Sequence, residues 1–232
     1  MSKWDLFIRQ FIERGAYNDV LDGLRATIEI AVLGLVIGIV IGTIIAVIKV
    51  IPGNRWPIRV LNGICKIYVE LFRGTPMVVQ LLLGYWVLMP ALGLSVSSIV
   101  AAIVIFGLNS GAYVSEIMRS GINSVDFGQL EAGRAVGMSY TTTMSRVVVP
   151  QAVKNILPTL GNEFITLIKD TSIVSFIAVV DLTKSFRSIA SANYEFVVPY
   201  LILAAIYLVL VMMISTLVKL LERRFGKSDR KN

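Results

Sequence analysis

The 232-residue chain contains one cysteine, Cys65, and no histidine. An intramolecular disulfide, a Cys/His zinc site and a Ser-His-Asp triad are therefore excluded, because each needs residues that the chain lacks. Charge is also scarce: 16% of residues are charged and 56% are hydrophobic, with a mean hydropathy of +0.76. Soluble domains carry about 25% charged residues, so the composition indicates a membrane protein with little room for an enzyme active site.

Long uncharged segments divide the chain into membrane spans, since a transmembrane helix needs about 20 mostly apolar residues. The predicted spans lie at about 30–48, 58–88, 97–119, 155–180 and 196–218. The fourth carries charged residues and Pro158, which are tolerated at membrane depth only against protein or water. We therefore predict an all-α integral membrane protein with five transmembrane helices. Its predicted parts are an external segment 1–26, a membrane domain 27–222 and a basic cytoplasmic tail 223–232.

The distribution of basic residues predicts the orientation of these spans. With the loop around residue 131 placed inside, 14 Lys and Arg residues fall in inside segments and 6 in outside segments. Basic residues collect in cytoplasmic loops, so the N-terminus is predicted outside and the C-terminus inside. An odd number of spans likewise requires the two termini to lie on opposite sides of the membrane.

The loop between the third and fourth predicted spans carries a spaced motif, E-A-G-R-A-V-G-M-S-Y-T-T-T-M-S-R-V-V-V-P, at residues 131–150. Ser124 or Asp126 can cap a helix there, and Gly137 suits the left-handed residue that ends it. The motif resembles the EAA loop of the membrane-spanning subunits of binding-protein-dependent ABC importers. It departs from that pattern at Gly133, which replaces alanine and is expected to loosen the helix by about 1 kcal/mol. A plain amphipathic connector is the alternative.

This resemblance implies a type I ABC importer permease (MetI-like) fold and a coupling helix at about 126–137 that docks on a separate ATPase. The coupling residues implied are Glu131, Ala132, Gly133, Arg134, Gly137 and Pro150. ATP and Mg are then bound by the partner ATPase, so this chain is expected to hold no cofactor and to be no enzyme itself. The other implied partners are a second permease subunit, identical or closely related, an external solute-binding protein and the lipid bilayer; nucleic acid is not expected.

Three further motifs resemble the polar amino-acid branch of these permeases. They are Glu70–Pro76 followed by Gln80, Ile168–Ser175, and Leu21–Thr27. Together with the loop they cover most of the chain, from about residue 17 to 222. They imply a permease of a bacterial inner membrane that moves a polar L-amino acid, with a lean toward a cationic one such as arginine, lysine or histidine.

Polar groups inside predicted spans are candidates for the substrate path, because charge within a bilayer costs several kcal/mol unless it is paired or hydrated. The candidates are Glu70, Arg73, Gln80, Glu163, Lys169, Asp170, Thr171 and Ser172. Carboxylates suit the ammonium group of an amino acid and cations suit its carboxylate. Glu70 and Arg73 are three residues apart and are predicted to pair. Alternatively, these groups are ion pairs that fix helix packing, or Glu70 lies in a cytoplasmic vestibule.

Two other interpretations stay open at this point. A gradient-driven secondary transporter or channel would leave the loop motif without a purpose, and a membrane anchor for a signalling ATPase would not need charges within spans. The small residues Gly34, Gly38 and Gly42 permit close helix packing, either at a subunit interface or in the core of this chain.

Overall fold

A computed structural model describes residues 2–50 and 56–226, and these residues form helices and short connections. The α-helices are α1 Lys3–Ile8, α2 Ala16–Val50, α3 Trp56–Gly74, α4 Met77–Leu83, α5 Met89–Ala91, α6 Ser98–Asn123, α7 Phe127–Ala135, α8 Tyr140–Thr143, α9 Val149–Asp170, α10 Leu182–Asn193 and α11 Val197–Gly226. Wider π-helical turns occupy Arg9–Glu13, Gly84–Leu88 and Met144–Val148, and a 3₁₀ segment occupies Thr171–Ile177. The predicted all-α architecture is confirmed for the described residues.

Three of these helices are long and apolar enough to cross a membrane: α2, α6 and α11 up to Glu222. The pair formed by α3 and α4–α5 makes a fourth if it is one bent span. The interrupted segment predicted at 155–180 corresponds to most of α9 and the 3₁₀ segment. The count of five spans therefore stays a prediction. The predicted basic tail begins within α11, and residues 227–232 lie outside the described ones.

Helix α2 begins at Ala16, well before the first span predicted from residue 30, and the boundary placed at residue 26 falls inside it. This early part packs on α10, since a Cβ atom at Gly23 would lie 2.5 Å from Ser185 Oγ. Hydropathy alone places the membrane-embedded part of a helix and misses its polar extension, which tertiary packing stabilises.

The glycines of α2 pack against α6 of the same chain. A Cβ atom at Gly38 would lie 2.6 Å from Ser110 Oγ, and one at Gly42 would lie 2.6 Å from Val114 Cγ1. Reciprocally, a Cβ atom at Gly107 would lie 2.5 Å from Ile37 Cγ2. Small residues let helix backbones approach closely. These glycines therefore belong to the core of this chain, which decides between the two alternatives left open by the sequence.

The chain bends by 109° between α3 and the α4–α5 segment. Pro76 has no backbone N–H and disfavours helical geometry at Thr75, so the helix ends before it and restarts at Met77. The interruption expected at Gly74 and Pro76 is therefore present. The main core, which includes Leu81 and Phe106, lies beside this bend and joins α2, α4, α6 and the end of α9.

Candidate functional site

The loop motif forms the helix α7, and its ends have recognisable caps. Asp126 Oδ1 accepts a hydrogen bond from Gly128 N at 2.7 Å. At the other end Gly137 has φ of +86°, and Met138 N donates to Gly133 O at 3.1 Å. This is the Schellman arrangement, which favours glycine because its central residue is left-handed. Of the two predicted caps Asp126 is correct, whereas Ser124 donates its hydroxyl to Gly121 O.

The underside of α7 rests on α8 at Gly133, the buried residue of the helix. A Cβ atom there would overlap Thr143 Cγ2. Thr143 is itself buried, and its hydroxyl donates to Ser139 O at 3.0 Å. The glycine that departs from the EAA pattern is thus required by packing, so the expectation that it merely loosens the helix was incomplete.

The outer face of α7 is exposed and carries two charged side chains and an alanine between two large apolar side chains. Glu131, Ala132 and Arg134 are exposed, while Phe127 and Val136 are 66% and 78% exposed near the two ends. Pro150 lies in the first turn of α9 and is also exposed. An exposed helix that carries apolar side chains near its ends and charged side chains between them suits contact with another protein surface.

Hydrogen bonds attach this loop to several spans. Tyr140 Oη in α8 donates to Val50 O, the last residue of α2, at 3.3 Å. Asn155 Nδ2 in α9 donates to Ser124 Oγ at the end of α6, at 2.8 Å. The first bond ties α8, on which α7 rests, to the end of α2, and the second ties α9 to the end of α6.

An ion-pair cluster lies at the ends of α2 and α6. Glu116 accepts from Lys49 Nζ at 2.8 Å and from Arg119 Nη2 at 2.7 Å. The Lys49 and Glu116 side chains are about one-fifth exposed. This arrangement joins two spans near the attachment points of the loop.

A polar cavity of about 130 Å³ lies between α6 and α9, beside the bend that follows α3. Its lining residues are Thr75, Met77, Asn109, Tyr113, Glu163, Thr166, Leu167 and Asp170. The two carboxylates are half-buried, and Glu163 Oε1 accepts a hydrogen bond from Ser110 Oγ at 2.9 Å. Among the described residues that line it, none is lysine or arginine. Since a desolvated carboxylate is stabilised by a nearby cation, the cavity suits an ammonium or guanidinium group.

The structure brings Glu163 and Asp170 together but places other predicted path residues elsewhere. Glu70 lies 3.7 Å from Lys66 Nζ with its side chain 65% exposed, so the predicted pair with Arg73 is wrong. The Arg73 guanidinium instead stacks over the Tyr113 ring, 5.6 Å from its centroid.

The remaining candidates lie at and after the end of α9, next to Asp170. Lys169 is exposed and Ser172 is half-buried. Thr171 is fully buried, and its hydroxyl donates to Ile168 O at 2.7 Å. Its hydroxyl is thus engaged within its own turn.

The Gln80 side chain forms hydrogen bonds to the backbone of the bend. Its Nε2 donates to Phe72 O at 2.8 Å and lies 3.0 Å from Thr75 O, and its Oε1 accepts from Asn109 Nδ2 at 2.8 Å. Sequence reasoning missed Asn109 and Ser110, although two adjacent polar residues inside the apolar run of α6 were a visible signal. Among the described residues, no group of three or more His, Cys, Asp or Glu side chains is placed to hold a metal.

The fold and these two regions define a class of protein: a helical integral membrane subunit in which a loop helix is connected to spans that enclose a polar cavity. The chain belongs to the family described as binding-protein-dependent transport system inner membrane component, whose model matches residues 34–227. It is therefore a membrane permease subunit. The resemblance inferred from the four motifs is confirmed.

Similar proteins cover nearly the whole chain. The arginine transport system permease protein of Bacillus subtilis (strain 168) is 38% identical, over 90% of this chain and 94% of its own length. A putative glutamine transport system permease protein of Rickettsia conorii is 37% identical, over 88% and 92%.

Solved structures agree with this assignment. A chain of an amino acid ABC transporter crystallised with histidines is 41% identical and superposes with a TM-score of 0.82, over 92% of this chain and 98% of that one. A chain of the inward facing MetNI methionine ABC transporter shares the fold, with a TM-score of 0.75 over 89% and 96% at 18% identity. The predicted MetI-like permease fold is thus confirmed.

Proposed function

We propose that this chain is the transmembrane subunit of an ATP-driven importer that moves a polar L-amino acid, with a preference for a cationic side chain. The observation that carries the proposal is the cavity whose described lining residues include two carboxylates and no basic side chain. An amino acid brings an ammonium group, and arginine, lysine or protonated histidine brings a second positive charge. The similarity to permeases named for arginine, glutamine and L-cystine supports the amino-acid class.

We further propose that α7 is a coupling helix. Its exposed face would dock on a separate ATPase, which would bind ATP and Mg. The contact residues would be Glu131, Ala132 and Arg134, with Gly133 and Gly137 shaping the helix and Pro150 directing the return into the membrane. The hydrogen bonds from Tyr140 and Asn155 to the spans provide a physical connection for the movement.

The proposed cycle is alternating access. Closure of an ATPase dimer would move the coupling helices of two permease subunits, identical or closely related, and open the spans toward an external binding protein. Hydrolysis would reverse the movement. The helix α9 starts at Val149, at the end of the loop motif, and ends at Asp170, so one helix connects the loop to the cavity. The charge asymmetry of 14 to 6 favours N-terminus outside and C-terminus inside a bacterial inner membrane.

The test is uptake by vesicles that contain this chain together with its ATPase and binding protein. Labelled arginine, histidine and glutamine should enter the vesicles only when ATP is present on the side of the membrane that carries the ATPase. Glu163→Gln and Asp170→Asn should each reduce uptake of the cationic substrates most strongly. Glu70→Gln is the matched control, because that side chain does not line the cavity. Uptake driven by an ion gradient without ATP would refute the proposal, and normal cationic uptake in both cavity variants would refute the assigned site.

A further inference from the structure

The bend after α3 leaves backbone carbonyls without helical donors. Pro76 has no N–H to offer, and α3 ends at Gly74. Gln80 supplies the donors, because its Nε2 lies 2.8 Å from Phe72 O, 3.0 Å from Thr75 O and 2.8 Å from Thr75 Oγ1. A side-chain amide one turn after the proline thus closes the bend.

The orientation of this amide is determined by its neighbours. Carbonyl oxygens only accept hydrogen bonds, so the nitrogen of Gln80 must face Phe72 and Thr75. Its Oε1 then points to α6 and accepts from Asn109 Nδ2 at 2.8 Å. Asn109 is buried, and its Nδ2 also lies 3.4 Å from Phe72 O. The two amides form one hydrogen-bonded pair between α4 and α6.

This pair lies between two cavities of different character. On one side is the polar cavity of about 130 Å³, which Asn109 lines. On the other side is an apolar cavity of about 340 Å³, lined by Gln80 and by leucines such as Leu83 and Leu108; it opens to the surface of the chain, where Leu83 is 51% exposed. Thr75 lines both cavities. Because Gln80 lines one cavity and its hydrogen-bonded partner Asn109 lines the other, we expect that removal of the Gln80 side chain opens the polar cavity toward the apolar one.

We propose that Gln80 and Asn109 determine substrate specificity by acting as the wall that keeps the substrate side chain out of the apolar cavity. The inference rests on the proposed function of the polar cavity. Apolar pockets discriminate between ligands by about 10- to 200-fold per methylene group. Access to the apolar cavity would therefore favour binding of amino acids with bulky apolar side chains. The wall confines binding to small or polar side chains without touching the ammonium group.

The experiment is direct binding to the purified full-length chain, with the subunits that copurify, in nanodiscs and without binding protein. The ligands are tritiated L-arginine, L-glutamine, L-leucine and L-phenylalanine. Gln80→Ala shortens the wall, whereas Gln80→Met loses the same hydrogen bonds but keeps the wall filled. Asn109→Ala opens the wall from the other side. Asn18→Ala, at an exposed amide near the start of α2, is the matched control.

In Gln80→Ala and Asn109→Ala the ratio of the phenylalanine Kd to the arginine Kd should fall by about tenfold or more. In Gln80→Met and Asn18→Ala it should stay near the unsubstituted value. A purely structural role for Gln80 predicts the same Kd ratio for the alanine and methionine variants. That result would overturn the proposed role in specificity. An unchanged ratio in Asn109→Ala would do so as well, even where both Gln80 variants fail to fold. If the unsubstituted protein binds none of the four amino acids, the proposed function fails first.

Discussion

Substitution of Gly133 tests the packing of α7 on α8 most directly. A methyl group at this position would overlap Thr143 Cγ2 and would lie 2.9 Å from Thr143 Oγ1. Thr143 is fully buried and its hydroxyl is bonded to Ser139 O, so a shift of its side chain would disturb packing or break that bond. Gly133→Ala would also restore the alanine of the EAA pattern. Packing and pattern therefore make opposite predictions for the same substitution.

The magnitudes decide between them. Alanine in a helix interior is favoured over glycine by about 1 kcal/mol. Overpacking of a tight contact costs about 1–3 kcal/mol. The net expectation for Gly133→Ala is a loss of roughly 0–2 kcal/mol in the free energy of unfolding, against a gain of about 1 kcal/mol if there were no contact. Thr143→Ala makes room for the new methyl, so the double variant should be more stable than the sum of its parts by about 1–2 kcal/mol.

The assay is the apparent Tm of the purified chain in nanodiscs for both single variants and the double variant. For a chain of this length 1 kcal/mol corresponds to about 2–4 °C. The lost hydroxyl bond of Thr143 is common to the single and double variants and cancels in the cycle. If Gly133→Ala alone raised the Tm, or if the two substitutions were additive, the packing explanation of this glycine would be wrong.

Three other predictions use the same purified protein. Glu116→Gln removes the carboxylate that pairs with Lys49, so the apparent free energy of unfolding should fall by about 1–3 kcal/mol, less than for a fully buried pair because the site is partly exposed; an unchanged Tm would show that the cluster is not stabilising. Ala132→Trp adds bulk to the exposed face of α7, so the Tm should hold while ATP-driven uptake falls to near background, and full uptake would contradict the docking role of this face. Gly38→Ala should lower the Tm because α6 lies too close for a methyl, whereas Gly63→Ala, with nothing within 4 Å, should not; equal effects would refute the close packing of α2 and α6.

The sequence predicts well what depends on neighbouring residues. The caps of α7 at Asp126 and Gly137 follow from local hydrogen bonding and from the left-handed geometry that glycine tolerates. Three of the predicted spans likewise follow from uncharged runs. The helix that contains residue 26 begins earlier, at Ala16, because polar residues can continue a helix wherever another element, here α10, packs on it.

Pairing between side chains was less predictable. Glu70 and Arg73 share a helical face, but so do Lys66 and Glu70, and spacing alone cannot rank the two pairs. What decides is the aromatic ring of Tyr113 on α6, which attracts the Arg73 guanidinium. A contact of this kind depends on how α3 is rotated about its axis relative to α6. The helical periodicity of the sequence does not determine that rotation.

Gln80 shows that a polar residue in a span can also have a structural role. Its place among charged residues suggested a substrate ligand, because polarity in a membrane usually marks a path. Yet a broken helix creates its own demand for donors, since unbonded carbonyls in an apolar setting are unfavourable. In the sequence, Pro76 already indicates that backbone carbonyls lack donors at this point. The Gln80 amide one turn later supplies those donors. For a polar side chain just after a helix break, hydrogen bonds to the unpaired carbonyls of the break should therefore be considered before ligand binding.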